Sequence, residues 1–211
     1  MKNKLLLYCL FFLSTANADS PITSTDFYKA YLHIPEVEEA HEIGVLSDKI
    51  AQYLLDSENS LDKKAAVINA LYWDIDRKIN AFLFKRHLKA KYQVKDDIDS
   101  LVKVMNDEEL FCLGYMTVMD NYFEPEKSLI YFESASSSIR ESYTFQIINA
   151  LIKTQSLIKD QNKWCRIWTT INAVETNKGL KVDMNVEGRK IILDYIKLYK
   201  DNCETKGVKK I

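Results

Sequence analysis

Apolar side chains recur at intervals of three and four residues along most of this chain, and that spacing predicts helices nearly from end to end. Ile50, Tyr53 and Leu54 draw one stripe, and Ile98, Leu101, Val102 and Met105 another. Phe145, Ile148, Leu151, Ile152 and Leu157 mark an amphipathic helix over Ile139–Ile158. Ile191, Ile192, Tyr195, Leu198 and Tyr199 mark a last one over Val186–Lys200. Start and stop residues fall where these stripes need them. Ser24-Thr25-Asp26 precede a short helix over Phe27–Leu32. Pro35 opens a helix whose early acids, Glu36, Glu38 and Glu39, suit the positive end of its dipole, and Gly44 closes it. Ser47 caps the next. Ser60 to Tyr92 reads as one long helix or two with a joint, carrying Trp73, Ile75, Ile79, Phe82 and Leu88. Asp96 or Asp97 restarts the helical period.

The stretch Asn106–Tyr122 has no solvent side. Asn106 followed by Glu109 has the form of a capping box, and from Leu110 to Met119 the one polar side chain is Thr117. A helix apolar nearly all round belongs in the middle of a bundle. Gly114 costs about 1 kcal/mol relative to Ala in a helix interior, so a close approach by a neighbour's backbone is the expected compensation.

One segment breaks the period. Leu180, Val182, Met184 and Val186 alternate with Lys181, Asp183 and Asn185, as in a strand, after the turn residues Asn177-Lys178-Gly179. It predicts either a short hairpin with Ile167–Val174 or an extended segment crossing the helices. The fold class is therefore all-α, a bundle of about seven to nine helices with one hairpin or extended segment near 167–186. Residues 19–211 form one α-helical domain, with the Ser-rich stretch 134–138 as a candidate lobe boundary. Ile-Asn-Ala recurs at Ile68, Ile79, Ile148 and Ile171 without a fixed period, which excludes a solenoid.

The N-terminus changes the picture of where this domain works. Lys2 and Lys4, the apolar run Leu5–Leu13 and Ala16-Asn17-Ala18 have the form of a signal peptide, residues 1–18, cleaved after Ala18. The expected location is periplasmic or secreted. Without those residues 27 Lys and Arg face 30 Asp and Glu, a formal charge of −3. Such a balance argues against a nucleic-acid partner, which demands a basic excess. No later apolar stretch is long enough to cross a bilayer. Three cysteines remain, and an oxidising compartment favours one disulfide and one thiol. The pairing is Cys165–Cys203, with Cys112 buried in its helix, or alternatively Cys112–Cys165.

No catalytic, cofactor or metal site emerges. Glu38 and His41 form one Glu-x-x-His pair, but His87 has Phe84 three residues before it, so the second half of a di-metal site is missing. Cys112 lies among Leu110, Leu113 and Met116, where burial raises a thiol pKa rather than activating it. Asp96/Asp97 and Glu108/Glu109 fall at helix starts, where the dipole accounts for them. What remains is aromatic: twelve tyrosines and three tryptophans, side chains that fill cores and also anchor interfaces. Tyr28, Tyr31, Tyr122, Phe123 and Tyr131, near predicted helix ends, are the candidates for contacts with a protein partner.

Phe111-Cys112-Leu113-Gly114-Tyr115, with Val118 and Asp120, resembles the Cys-x-Gly-Tyr…Val-x-Asp helix of small exported immunity proteins that neutralise type VI secretion amidase effectors. Cys165, the helix over Gly188–Lys200 and Cys203 are similar to later parts of that family. The resemblance spans Phe111–Cys203. It implies an α-helical, disulfide-bonded periplasmic inhibitor that occludes a toxin's active site. Departures are the long Glu124–Lys163 segment, Lys181–Val186 in place of a proline turn, and Asp19–Met105, which has no counterpart; no contact residue carries over. The alternatives are a periplasmic envelope-polymer hydrolase using a carboxylate pair, and a structural or adaptor protein of the envelope.

Overall fold

A computed structural model describes residues 20–72, 78–95 and 97–203. The signal segment 1–18, Trp73, Ile75 and Asp96 lie outside the described residues. The architecture is all-α. Ten α-helices occur among the described residues: α1 (Pro35–Ile43), α2 (Asp48–Leu55), α3 (Leu61–Leu71), α4 (Asn80–Tyr92), α5 (Ile98–Val104), α6 (Asp107–Asp120), α7 (Glu126–Ser134), α8 (Tyr143–Gln155), α9 (Trp164–Glu175) and α10 (Val186–Ile196). Short 3-10 helices cover Phe27–Tyr31, Ile139–Glu141, Gln161–Lys163 and Lys197–Cys203.

The bundle is built round α6, which packs against α2, α3, α4, α7 and α8. Its capping box forms: Glu109 N donates to Asn106 Oδ1 and Asn106 N donates to Glu109 Oε2, both at 2.9 Å. Glu109 itself is buried, and its charge is met by Lys91 Nζ at 2.7 Å and Tyr92 Oη at 2.6 Å. What approaches Gly114 is the Phe132 ring and Tyr131 Cβ of α7 rather than a neighbour's backbone. The C-terminal end of α6 shapes another helix. Asp120 accepts hydrogen bonds from Asn80 N (3.1 Å), Ala81 N (2.9 Å) and Tyr72 Oη (2.5 Å). It thereby supplies the N-terminal cap of α4, which no neighbouring residue of α4 provides, and separates α3 from α4.

The hairpin expectation is corrected. Ile167–Val174 lies within α9, whose Ile167 and Ile171 face the core, so it does not supply a strand to pair with 180–186. That segment is extended and makes a single bridge to Ser142. Tyr143 N donates to Lys181 O at 2.9 Å and Lys181 N to Glu141 O at 2.8 Å. Its period of two has a different cause. Met184 is buried, and two of the polar positions cap helices: Asp183 accepts from Thr144 N of α8, and Asn185 from Glu187 N of α10. Val182 and Val186 stay exposed.

Two long-range links fasten α9 and α10 to the rest of the fold. Cys165, in the first turn of α9, is bonded to Cys203, and Cys112 is free and buried, which excludes the Cys112–Cys165 alternative. Tyr31 Oη donates to Asp62 at 2.8 Å and accepts from Asn185 N at 2.9 Å, tying the first 3-10 helix to the start of α10. Gly188 lets α10 lie against the Tyr31 ring, where a Cβ would come within 3.1 Å of it. Among the described residues no helix is long and apolar enough to cross a membrane.

Candidate binding site

Of the five aromatic interface candidates, three are internal. Tyr28 is buried, with its ring centroid 4.9 Å from that of His41 and its backbone N–H on Asn69 Oδ1. Tyr31 is buried in the junction with Asp62 and Asn185, and Tyr131 beneath α7 against Gly114. These corrections share one physical reason. Each ring fills volume between helices, and burial pushes all three phenols above their ordinary value. A phenol that completes its packing inside the fold has nothing left to offer a partner.

Tyr122 and Phe123 are different. They occupy the turn after α6, which Asn121 braces: its side chain accepts from Phe123 N at 3.2 Å and donates to Glu124 at 2.6 Å. Lys127 reaches the same Glu124 carboxylate at 2.7 Å. The two rings lie against each other, centroids 4.3 Å apart, and Phe123 is left 65% exposed. An apolar ring that open, on a braced turn, is not there for packing. Beside it is a cleft of about 520 Å³ whose opposite wall is the end of α8 and the loop after it, including Gln155, Ile158 and Lys159. Ser20 forms part of the rim and donates to Gln155 Oε1 at 2.5 Å. Lys159 Nζ stands 6.0 Å from the Phe123 centroid. Chemically this is an aromatic platform with hydroxyls, an amide, the Lys159 cation and the Glu126 carboxylate round it, suited to receiving an apolar side chain with a polar end. The cleft is lined by no histidine or cysteine among the described residues.

A second cleft, about 570 Å³, brings Asp107, Glu108 and Asp183 together at the N-terminal ends of α3, α6 and α8. Each carboxylate already holds part of the fold. Asp107 accepts from Ser136 N at 2.8 Å and from its hydroxyl, Asp183 caps α8, and Glu108 pairs with the buried Lys64. Asp97, from the other acidic pair, caps α5 through Asp99 N and Ser100 N. Burial pushes the Cys112 thiol up to about 12, so it is no nucleophile at neutral pH. Glu38 and His41 are exposed on α1. No group of three or more His, Cys, Asp and Glu among the described residues is placed to hold a metal ion.

The sequence pointed to Tyr122 and Phe123 but not to Ser20, Gln155 or Lys159. Those three come from separate segments and meet only because α8 ends beside the α6–α7 turn. No protein-family model, no curated protein and no solved structure matches this chain. What the fold and the site define is a class: a disulfide-bonded, all-α protein with an aromatic-walled surface cleft.

Proposed function

We propose that this chain is an exported binding protein, an inhibitor of the immunity type, that blocks the active cleft of a secreted antibacterial toxin and engages it through Phe123 and Tyr122. The observation that carries the reading is Phe123 itself: a large apolar ring 65% exposed on a braced turn beside a cleft. Interface energy concentrates in such anchors, surrounded by polar groups that exclude water. The disulfide supports an oxidising compartment, and with it export. The immunity-family motif contributes scaffold rather than contacts: Phe111, Cys112, Leu113, Gly114, Tyr115 and Val118 are buried, and Asp120 caps α4.

The test is a non-reducing pull-down with the chain from Asp19 as bait, in wild-type, Phe123→Ala and Tyr122→Ala forms. The expected result is capture of one secreted hydrolase whose activity falls on binding, with affinity reduced about tenfold or more by Phe123→Ala. Equal capture by the variants, or unchanged survival of cells lacking the protein when challenged with that hydrolase, refutes the reading. The hydrolase alternative keeps one observation, the three carboxylates on the second cleft, and requires envelope-polymer cleavage that Asp107→Asn and Asp183→Asn abolish.

A further inference from the structure

The overall charge balance conceals a strong local asymmetry. Lys78 to Lys95 contains six Lys and Arg, those two ends included, and no Asp or Glu, in a chain whose net charge is −1. The segment is α4 with its flanks. Phe82, 59% exposed, is followed at three and four residues by Lys85 and Arg86, so on the helix surface all three adjoin. Ile79, one turn earlier, is 56% exposed. The α1–α2 turn is fastened to this end of α4, since Leu46 N donates to Asn80 Oδ1 at 2.8 Å and Asn80 Nδ2 to Gly44 O at 3.4 Å. That turn adds Ile43 and Val45, which are also exposed. Four large apolar side chains thus lie near one edge, bordered by Lys85 and Arg86 and, on the α2 side, by the exposed Asp48 beside His87. Glu109 pairs with Lys91 and Asp48 with His87, whereas Lys78, Lys85 and Arg86 have no carboxylate partner among the described residues. Burial pulls the Lys85 ammonium below its ordinary value and Lys89 adds repulsion, so this cation is partly desolvated with no anion among the described residues to offset it.

We infer that the face formed by Ile43, Val45, Ile79, Phe82, Lys85 and Arg86 docks on an anionic phospholipid surface. The apolar side chains enter the headgroup boundary and the cations meet lipid phosphates. Lys85 and Arg86, beside exposed Phe82 and without a carboxylate partner among the described residues, give this face the charge that lipid phosphates complement. Aliphatic insertion beside lysine and arginine is what peripheral membrane binding requires. This face is separate from the Tyr122–Phe123 cleft and does not depend on the inhibitor reading.

The test is co-sedimentation of the chain from Asp19, which carries every described residue and lacks the apolar run Leu5–Leu13. Vesicles are pure phosphatidylcholine or an equimolar mixture with phosphatidylglycerol. Strong partition is expected to the anionic vesicles alone, weakened about a hundredfold by Lys85→Glu/Arg86→Glu and about tenfold by Phe82→Ser. Lys153→Glu/Lys178→Glu, an equal charge change on α8 and the α9–α10 loop, is expected to bind nearly as wild type, with circular dichroism melts confirming that each variant folds. Partition indifferent to lipid charge, or an equal loss in the α8 and loop variant, overturns the inference. So does binding of poly-glutamate but not vesicles, which would assign the face to an acidic polypeptide.

Discussion

Gly114→Ala pits two effects of opposite sign against each other. Alanine is the better helix former by about 1 kcal/mol, and on propensity alone the change stabilises α6. The new methyl group, however, would meet Phe132 Cε2 at 2.8 Å, Phe132 Cδ2 at 3.0 Å and Tyr131 Cβ at 3.1 Å. Neither neighbour can yield cheaply. The Phe132 ring is buried with its centroid 5.8 Å from Phe111 and 5.1 Å from Phe145, and Tyr131 Cβ moves only with the α7 backbone. Overpacking of this kind costs typically about 1–3 kcal/mol, and three simultaneous contacts place it in the upper part of that range. The net expectation is a loss of about 1 kcal/mol, a fall of roughly 2–4 °C in melting temperature for a chain of this size. The decisive assay is a double-mutant cycle by urea unfolding with Phe132→Leu. Removing the ring should make room for the added methyl group, so that Gly114→Ala becomes neutral or stabilising in that background, with a coupling of about 1 kcal/mol. A higher melting temperature for Gly114→Ala alone, or an equal cost in both backgrounds, would refute the packing argument.

Asp120→Asn should cost about 1–2 kcal/mol, since an amide cannot accept all three bonds, the two that cap α4 and the one from Tyr72. Burial holds the Asp120 carboxyl above its ordinary 3.8 despite its bonds to Tyr72, Ala81 and Asn80. The native state therefore binds that proton more tightly than the unfolded chain, so the stability this group adds grows as pH falls through the window above 3.8 and shrinks as pH rises. Urea unfolding from about pH 7 to about pH 4 should widen the gap between wild type and Asp120→Asn; a narrowing gap would show the opposite shift. Asp194, held down to about 2 by Lys197 and Lys190, has the reverse sign, and its contribution is lost as the solution is acidified. Reducing Cys165–Cys203 opens a loop of 38 residues and should cost about 4 kcal/mol in the chain-entropy model, seen as a lower melting temperature in dithiothreitol. Cys112 should resist iodoacetamide in the folded protein and react only as fast as the fold opens; rapid labelling of the native state would contradict its burial.

Local chemistry carried most of the helices into view. The capping box at Asn106, the Ser47 cap and the Gly44 terminus, in the left-handed region at φ 65°, each depend on residues within a few positions of one another. The joint between α3 and α4 is different in kind, because the group that starts α4 is Asp120, forty residues away. The alternation at 180–186 misled for the same reason: Asp183 and Asn185 are polar to cap two helices, and no local pattern distinguishes that from the outer face of a strand. Tyr28, Tyr31 and Tyr131 could not be told from Tyr122 and Phe123 by spacing, since which helix end is covered depends on what packs over it. The basic run ending at Lys95 was readable in the sequence, but averaging charge over the whole chain cancelled it.

The bonds of Tyr31 set the order in which this fold can be completed. Its hydroxyl lies between Asp62 and the backbone of Asn185, 154 residues away. Until α10 arrives, the groove left by its absence exposes Tyr31, and Asp62 is held by half a junction. A chain released N-terminus first cannot close this seam before Asn185 and Gly188 appear. The Cys165–Cys203 bond then ties α9 to the 3-10 helix that follows α10, so a covalent link forms next to the last element to arrive.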